Sequence, residues 1–269
     1  MAQELEEYHA LYASLFRDDK QRFYSYHYLA GLLDSEVKRK SAENLALATI
    51  GPERVRNMQH FVGTSRWKDD EIRVEHRLQT GLALGTSDGV LILDGSDCAK
   101  QGNDSVGVQR QWCGELGKVA NCQAGVYLGY SSAKGYTLLD RRLYMPECWF
   151  TPEYAERRYK CHVPATVHFQ TKNELAWEMI EQLSQAKTLP ARWITMDEAF
   201  GRDTALLDRI QQETDYFYLA EVPKDTCLWA EEPETFVPEY EGSGRPPSRR
   251  RLAPEAPAPQ TVAEIASQL

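Results

Sequence analysis

The chain has 269 residues, long enough for one large domain or two modest ones with a real core. Hydrophobic residues at 42% and charged residues at 26% are ordinary for a globular protein, and no run of about 18 uninterrupted apolar residues is present, which excludes a membrane-spanning helix. The net charge of −9 argues against nucleic acid as a partner, because phosphate binding needs concentrated cations; against it stand local basic islands at Lys38-Arg39-Lys40, Arg141-Arg142, Arg157-Arg158 and Arg249-Arg250-Arg251.

The first residues, Met-Ala-Gln-Glu-Leu-Glu-Glu, are acidic and lack the basic-then-apolar order of a secretory signal, so a cytoplasmic protein is expected. Six cysteines without a C-x-x-C pair, and six histidines without ligand spacing, point to reduced and mostly packed thiols rather than a zinc site. Residues 3–80 read as helical. Leu5, Tyr8, Leu11, Tyr12, Leu15 and Phe16 recur at helical spacing and predict one apolar face. Tyr28, Leu29, Leu32 and Leu33 form a second cluster, and Ser41 is a plausible N-cap. Gly51-Pro52 breaks the next helix, after which Val55, Met58, Phe61 and Val62 restart the period.

From Gly89 the pattern changes to short apolar and β-branched runs at residues 90–93, 123–130, 137–144 and 166–169, with residues 129–135 as a hairpin link. An amphipathic helix over 173–185 follows, with Leu175, Met179, Ile180 and Leu183 on one face. A strand through Trp193-Ile194-Thr195-Met196, a helix over 204–212 and a strand over 216–222 come next. The order predicts a mixed sheet with helices packed against it. Beyond Pro223 glutamates, arginines and prolines accumulate. Residues 242–247 cannot form regular structure and 249–259 suit an exposed linker or a loop facing nucleic acid, before a short helical pattern at 261–269.

Two aspartates stand out. Asp94 ends the run Val90-Leu91-Ile92-Leu93, and Asp197 ends Trp193-Ile194-Thr195-Met196; small or turn-forming residues follow each. A carboxylate at the carboxyl end of a buried strand faces the edge where α/β folds place their ligands, and two of them on neighbouring strands suit a divalent metal and phosphodiester chemistry. Local sequence alone favours a plainer role, a turn aspartate before Gly95 and a helix cap before Ala199. Asp97 and Glu198 are the nearby competing acids.

The segment from Asp94 to Gly102, with Ser105-Val-Gly-Val-Gln-Arg-Gln111 and Gly114-Glu-Leu-Gly-Lys-Val-Ala-Asn-Cys-Gln123, resembles a block of bacterial insertion-sequence transposases of the DDE type, which have an RNase H-like core. Gly31-Leu32-Leu33, Arg39-Lys40-Ser41, Gln59-His60-Phe61-Val62 with Trp67, Asp197-Glu198-Ala199-Phe200-Gly201, and Arg245-Pro246-Pro247 with Arg251-Leu252-Ala253-Pro254 extend the likeness to nearly the whole chain. The loop after Asp94 departs from the family pattern, keeping Lys100 and Gly102.

The resemblance implies an α/β fold, an RNase H-like mixed sheet flanked by helices and preceded by an all-helical N-terminal domain. It divides the chain into a DNA-binding helical domain (1–85), a catalytic core (86–224) and the start of an insertion or linker region rich in proline and arginine (225–269). Asp94 and Asp197 take the first two acidic positions of a catalytic triad and bind Mg²⁺, with Mn²⁺ as the alternative ion. The third acid, a glutamate, has no counterpart here, and the chain is expected to stop short of it. Lys100, Arg110 and Lys118 are expected to contact DNA phosphates near the site, and Arg249, Arg250 and Arg251 to clamp a transposon end. The implied activity is metal-dependent cleavage and strand transfer at the terminal inverted repeats of an insertion sequence, into target DNA, by a homodimer on double-stranded DNA. The alternative is a catalytically incomplete, transposase-derived DNA-binding protein.

Overall fold

The computed structural model describes residues 2–240, 242 and 248–268. Residues 2–84 form five helices, α1 (Ala2–Ala10), α2 (Asp19–Leu33), α3 (Ala42–Thr49), α4 (Val55–Gly63) and α5 (Asp69–Leu84). Local chemistry sets their ends. The Asp18 carboxylate caps α2 by accepting from the Gln21 N–H at 2.8 Å, and Ser41 caps α3 by accepting from the Asn44 N–H, as its sequence predicts. Lys40 donates to the carbonyls of Gly31 and Asp34 at the end of α2, so one cation of that basic island serves the helix terminus. Gly51 at φ 93° breaks the chain in a conformation that side chains rarely adopt, and Pro52 opens the turn into α4.

The apolar run from Leu5 to Phe16 does not form one helical face. The first helix stops at Ala10, and Tyr8 and Leu11 are exposed. Because Asp18 starts α2, the chain has to turn before it. Only Tyr12 and Phe16 of the run are buried, packed with Tyr24, Ala46, Met58 and Phe61. Trp67 stacks on Phe61 with ring centroids 4.7 Å apart and donates its indole N–H to the Phe61 carbonyl. Leu33 and Val62, also read as helix-face residues, are exposed.

A six-stranded sheet follows: β1 (Val90–Ala99), β2 (Gln109–Cys113), β3 (Lys118–Ser132), β4 (Gly135–Tyr144), β5 (Trp193–Met196) and β6 (Phe217–Ala220). Its order is β2-β3-β1-β5-β6, with β4 also paired to β3; β2 and β3 run antiparallel, β5 and β6 parallel. Between β4 and β6 lie α6 (Ala155–Lys160), α7 (Lys172–Ala186), α8 (Glu198–Gly201) and α9 (Thr204–Glu213). All four residues predicted for the apolar face of α7, Leu175, Met179, Ile180 and Leu183, are buried. This is a mixed sheet flanked by helices and preceded by a helical region, the α/β architecture expected from the sequence and consistent with an RNase H-like core.

Several local expectations change. The hairpin between β3 and β4 is closed by two residues, Ala133 and Lys134, rather than seven. Residues 166–169 form no strand; Val167 turns back to donate its N–H to the Pro164 carbonyl. Past Pro223 the chain forms two small antiparallel ribbons, β7 (Cys227–Leu228) with β10 (Gln260–Thr261) and β8 (Thr235–Phe236) with β9 (Arg251–Leu252), then α10 (Val262–Ala266), opened by a Thr261–Glu264 capping box. Of residues 242–247, expected to lack regular structure and including the matched Arg245-Pro246-Pro247, all but Gly242 lie outside the described residues.

Spatially the chain forms two compact units, one comprising residues up to Val90 with Tyr127–Arg141 and Gln182–Arg192, the other Leu91–Val126, Arg142–Glu181 and the residues from Trp193 on. The first buries an ion cluster that sequence reading missed: Asp140 on β4 receives Arg73 and Arg77, both from α5. All six cysteines are unpaired; Cys113 and Cys122 are buried, and burial pushes the Cys122 thiol up to about 11.

Candidate catalytic site

Strands β1 and β5 are neighbours in the sheet. The Arg192 N–H, just before β5, donates to the Gly89 carbonyl, just before β1, at 2.8 Å. The two strands therefore start at the same end of the sheet. Asp94 stands five residues beyond Gly89 and Asp197 five beyond Arg192. In a parallel pair a donor lies opposite the residue after its acceptor, so Arg192 is level with Val90 and Asp197 with Gly95, one residue beyond Asp94 on a neighbouring strand about 4.8 Å away.

Asp94 lies within its strand, not at its end. β1 continues to Ala99 because it has a long partner: Gly95 lies beside Gly125 of β3, and the Lys100 N–H donates to the Asn121 carbonyl at 2.9 Å. Position falls along β3 as it rises along β1, so the two run antiparallel, and pairing overrides the turn tendency of Asp94-Gly95. Leu91 and Leu93 are buried and anchor the strand, while Asp94 is exposed and accepts from the Gly95 N–H at 2.7 Å.

Asp197 follows β5 directly and does cap a helix. One carboxylate oxygen accepts from the Ala199 N–H at 3.0 Å, and its main-chain carbonyl accepts from the Gly201 N–H at 2.8 Å. Phe200 is buried, and a Cβ at Gly201 would fall 2.1 Å from the Glu221 carbonyl oxygen. Only glycine lets α8 close on the chain at the end of β6. That close approach was not foreseen; its signal is the glycine four residues after the aspartate.

Among the described residues neither Asp94 nor Asp197 has an ion-pair partner. The competing acids are engaged elsewhere, Asp97 accepting from the Gly114 N–H at 2.8 Å and Glu198 paired with Arg202 at 3.9 Å. Two exposed, uncompensated carboxylates are a hard oxygen donor set. They fit a magnesium-type ion, which keeps several waters and takes one or two carboxylates. No group of three or more His, Cys, Asp or Glu side chains placed to hold a metal occurs among the described residues.

The expected DNA contacts are spread out. Lys100 is six residues beyond Asp94, about 20 Å along an extended strand, rather than beside it. Arg110 pairs with Asn121 and Cys113 with Lys118 in the β2–β3 ribbon. Residues 110 and 113 point to opposite faces, so Arg110 and Lys118 do as well. Arg249, Arg250 and Arg251 are exposed; Arg250 donates to the Thr235 carbonyl and Arg251 lies in β9.

The mixed sheet thus carries an exposed aspartate on β1 and another directly after the adjacent β5. Residues 10–269 match the family model of the DDE superfamily endonucleases, and the chain belongs to that family. It is also similar to the "Probable transposase for insertion sequence element IS701" of Microchaete diplosiphon, 32% identical over 120 residues, which take in 44% of this chain and 30% of that protein. The matched part thus spans under a third of the curated relative. Among the described residues no helix is long and apolar enough to cross a membrane.

Proposed function

We propose that this chain carries the catalytic carboxylates of an insertion-sequence transposase that cuts DNA and joins the cut ends to a target. The observation that carries this reading is the pair Asp94 and Asp197, exposed, without ion-pair partners among the described residues and one residue apart in level on adjacent strands, in a chain of the DDE endonuclease family. Asp94 and the free oxygen of Asp197 would hold a divalent ion, Mg²⁺ or Mn²⁺. When bound, that ion lowers the pKa of a water or 3′-hydroxyl and neutralises charge on the phosphate under attack. The chain itself places the carboxylates. Buried Leu91 and Leu93 fix one; the Ala199 N–H, buried Phe200 and Gly201 fix the other.

The proposed substrates are double-stranded DNA, the terminal inverted repeats of the element and a target site, on which two copies act as a dimer. The helices before residue 85 would bind DNA, residues 86–224 would form the catalytic core, and residues 225–269 would belong to an insertion. The test is nicking of an end-labelled duplex bearing candidate inverted repeats, with Mg²⁺ or Mn²⁺ and with chelator. Metal-dependent nicking that disappears in Asp94→Asn and Asp197→Asn supports the assignment. Nicking that survives both substitutions overturns it.

A second reading, a transposase-derived protein that occupies DNA without cutting it, is favoured by the donor count: two carboxylates, with no third metal-binding side chain grouped with them among the described residues. Duplex binding that persists in chelator, with no cleavage in either ion, would establish it.

A further inference from the structure

The segment joining β1 to β2 has to cross β3. Lys100 lies beside Asn121 on one flank of β3 and Gln109 pairs with Cys122 on the other, while β3 extends beyond both levels. Residues 100–108 therefore pass over one face of the strand as a strap. Such a strap has no ladder of its own, and its carbonyls need other donors.

Side chains supply them at every second residue. Asn121 Nδ2 donates to the carbonyls of Lys100 at 3.2 Å and Gly102 at 2.6 Å. Gln123 Nε2 donates to Val106 at 2.5 Å, the Cys161 thiol to Asp104 at 3.1 Å and the Trp149 indole N–H to Val108 at 3.0 Å. All four donor groups are neutral. The cations nearby are left unengaged: among the described residues Lys100 and Arg110 make no ion pair. They also sit at one level. Arg110 is the register partner of Asn121 on β2, and Lys100 bonds to the same Asn121 from β1, so the two flank it at about two strand spacings, roughly 10 Å.

We propose that Asn121, supported by Gln123, is a positioning residue for DNA binding: it ties the strap to β3 and so holds Lys100 level with Arg110 as a pair of phosphate contacts. The proposal rests on the DNA-binding reading above. Neutral amides suit the task, since a lysine or arginine holding the same carbonyls would itself compete for phosphate. Neither amide touches DNA in this scheme.

The test uses the full chain, a random-sequence duplex titrated by fluorescence anisotropy at several salt concentrations, and hydrogen exchange of residues 100–108. Asn121→Asp keeps the shape and replaces the donors with oxygens that repel the carbonyls. It should speed exchange across the strap at least about tenfold and lower the salt slope of log K by about 0.9, one phosphate contact, as Lys100→Ala does. The double variant should bind no more weakly than the worse single one. If Asn121→Asp does not fold, Gln123→Glu, which removes one donor, takes its place with the same readouts. Unchanged exchange, an unchanged salt slope, or fully additive losses in the double variant would each overturn the role. A parent that binds no DNA overturns the DNA reading and this role together; a parent that binds, beside a variant that binds identically, overturns this role alone.

Discussion

In the first unit the Asp140 carboxylate is fully buried on β4 and held by the guanidinium of Arg73 at 2.9 Å, by Arg77 and by the Arg141 N–H at 2.8 Å. In the second unit Asp94 and Asp197 are exposed, and each has a neighbouring backbone N–H against its carboxylate. Burying a charge costs several kcal/mol unless it is paired and hydrogen-bonded. Asp140 meets that cost with two arginines placed four residues apart on one helix, and what results is a joint between α5 and β4. Asp94 and Asp197 stay in water and need no partner. Their charge remains available to a ligand, and carboxylates on neighbouring strands repel each other unless a cation lies between them.

The contrast predicts opposite responses to deletion. Asp140→Ala removes the buried acid that the largely buried Arg73 and Arg77 share and should destabilise the protein by about 3–5 kcal/mol, read from urea unfolding. A loss below about 1 kcal/mol would show that the cluster is well solvated and would remove one side of the contrast. Asp94→Asn and Asp197→Asn should leave the melting temperature within about 2 °C of the parent while metal-dependent nicking falls by about a hundredfold or more. A large thermal shift with nicking retained would mark these aspartates as structural.

The parts of this architecture legible in the sequence are those decided locally. The stretch from Trp193 to Gly201 reads correctly because the apolar run, the capping aspartate and the helix are consecutive. The buried face of α7 reads correctly because Leu175, Met179, Ile180 and Leu183 recur at helical spacing. What failed was decided by distant partners. Asp94-Gly95 has turn composition, yet β3 lies alongside and keeps it extended. Strand β2 went unseen because Gln109-Arg-Gln-Trp-Cys113 has little apolar signal until Val119 and its neighbours pair with it. The Asp140 cluster joins residues 63 and 67 positions apart, which no local pattern links. As for the site, residue type and strand context marked the two aspartates, while their placement on adjacent strands is a property of the sheet order.

The finest division concerns how Asp197 is held in place. At Gly201 an added methyl group would meet the Glu221 carbonyl oxygen at 2.1 Å and the Ala220 Cβ at 3.0 Å, so α8 would have to lift from the chain at the end of β6. Gly63, at the end of α4, has nothing within 4 Å of the same added atom. Gly201→Ala should therefore cost about 1–3 kcal/mol of stability, whereas Gly63→Ala should be neutral or stabilising by up to about 1 kcal/mol. Because Gly201 donates its N–H to the Asp197 carbonyl, lifting α8 also displaces that aspartate. Gly201→Ala should consequently lower nicking as well, by less than Asp197→Asn does, and Gly63→Ala should not. Equal stability and equal nicking in the two variants would mean that the turn after β5 adapts freely, and that the position of Asp197 is set by something other than the packing of Phe200 and Gly201.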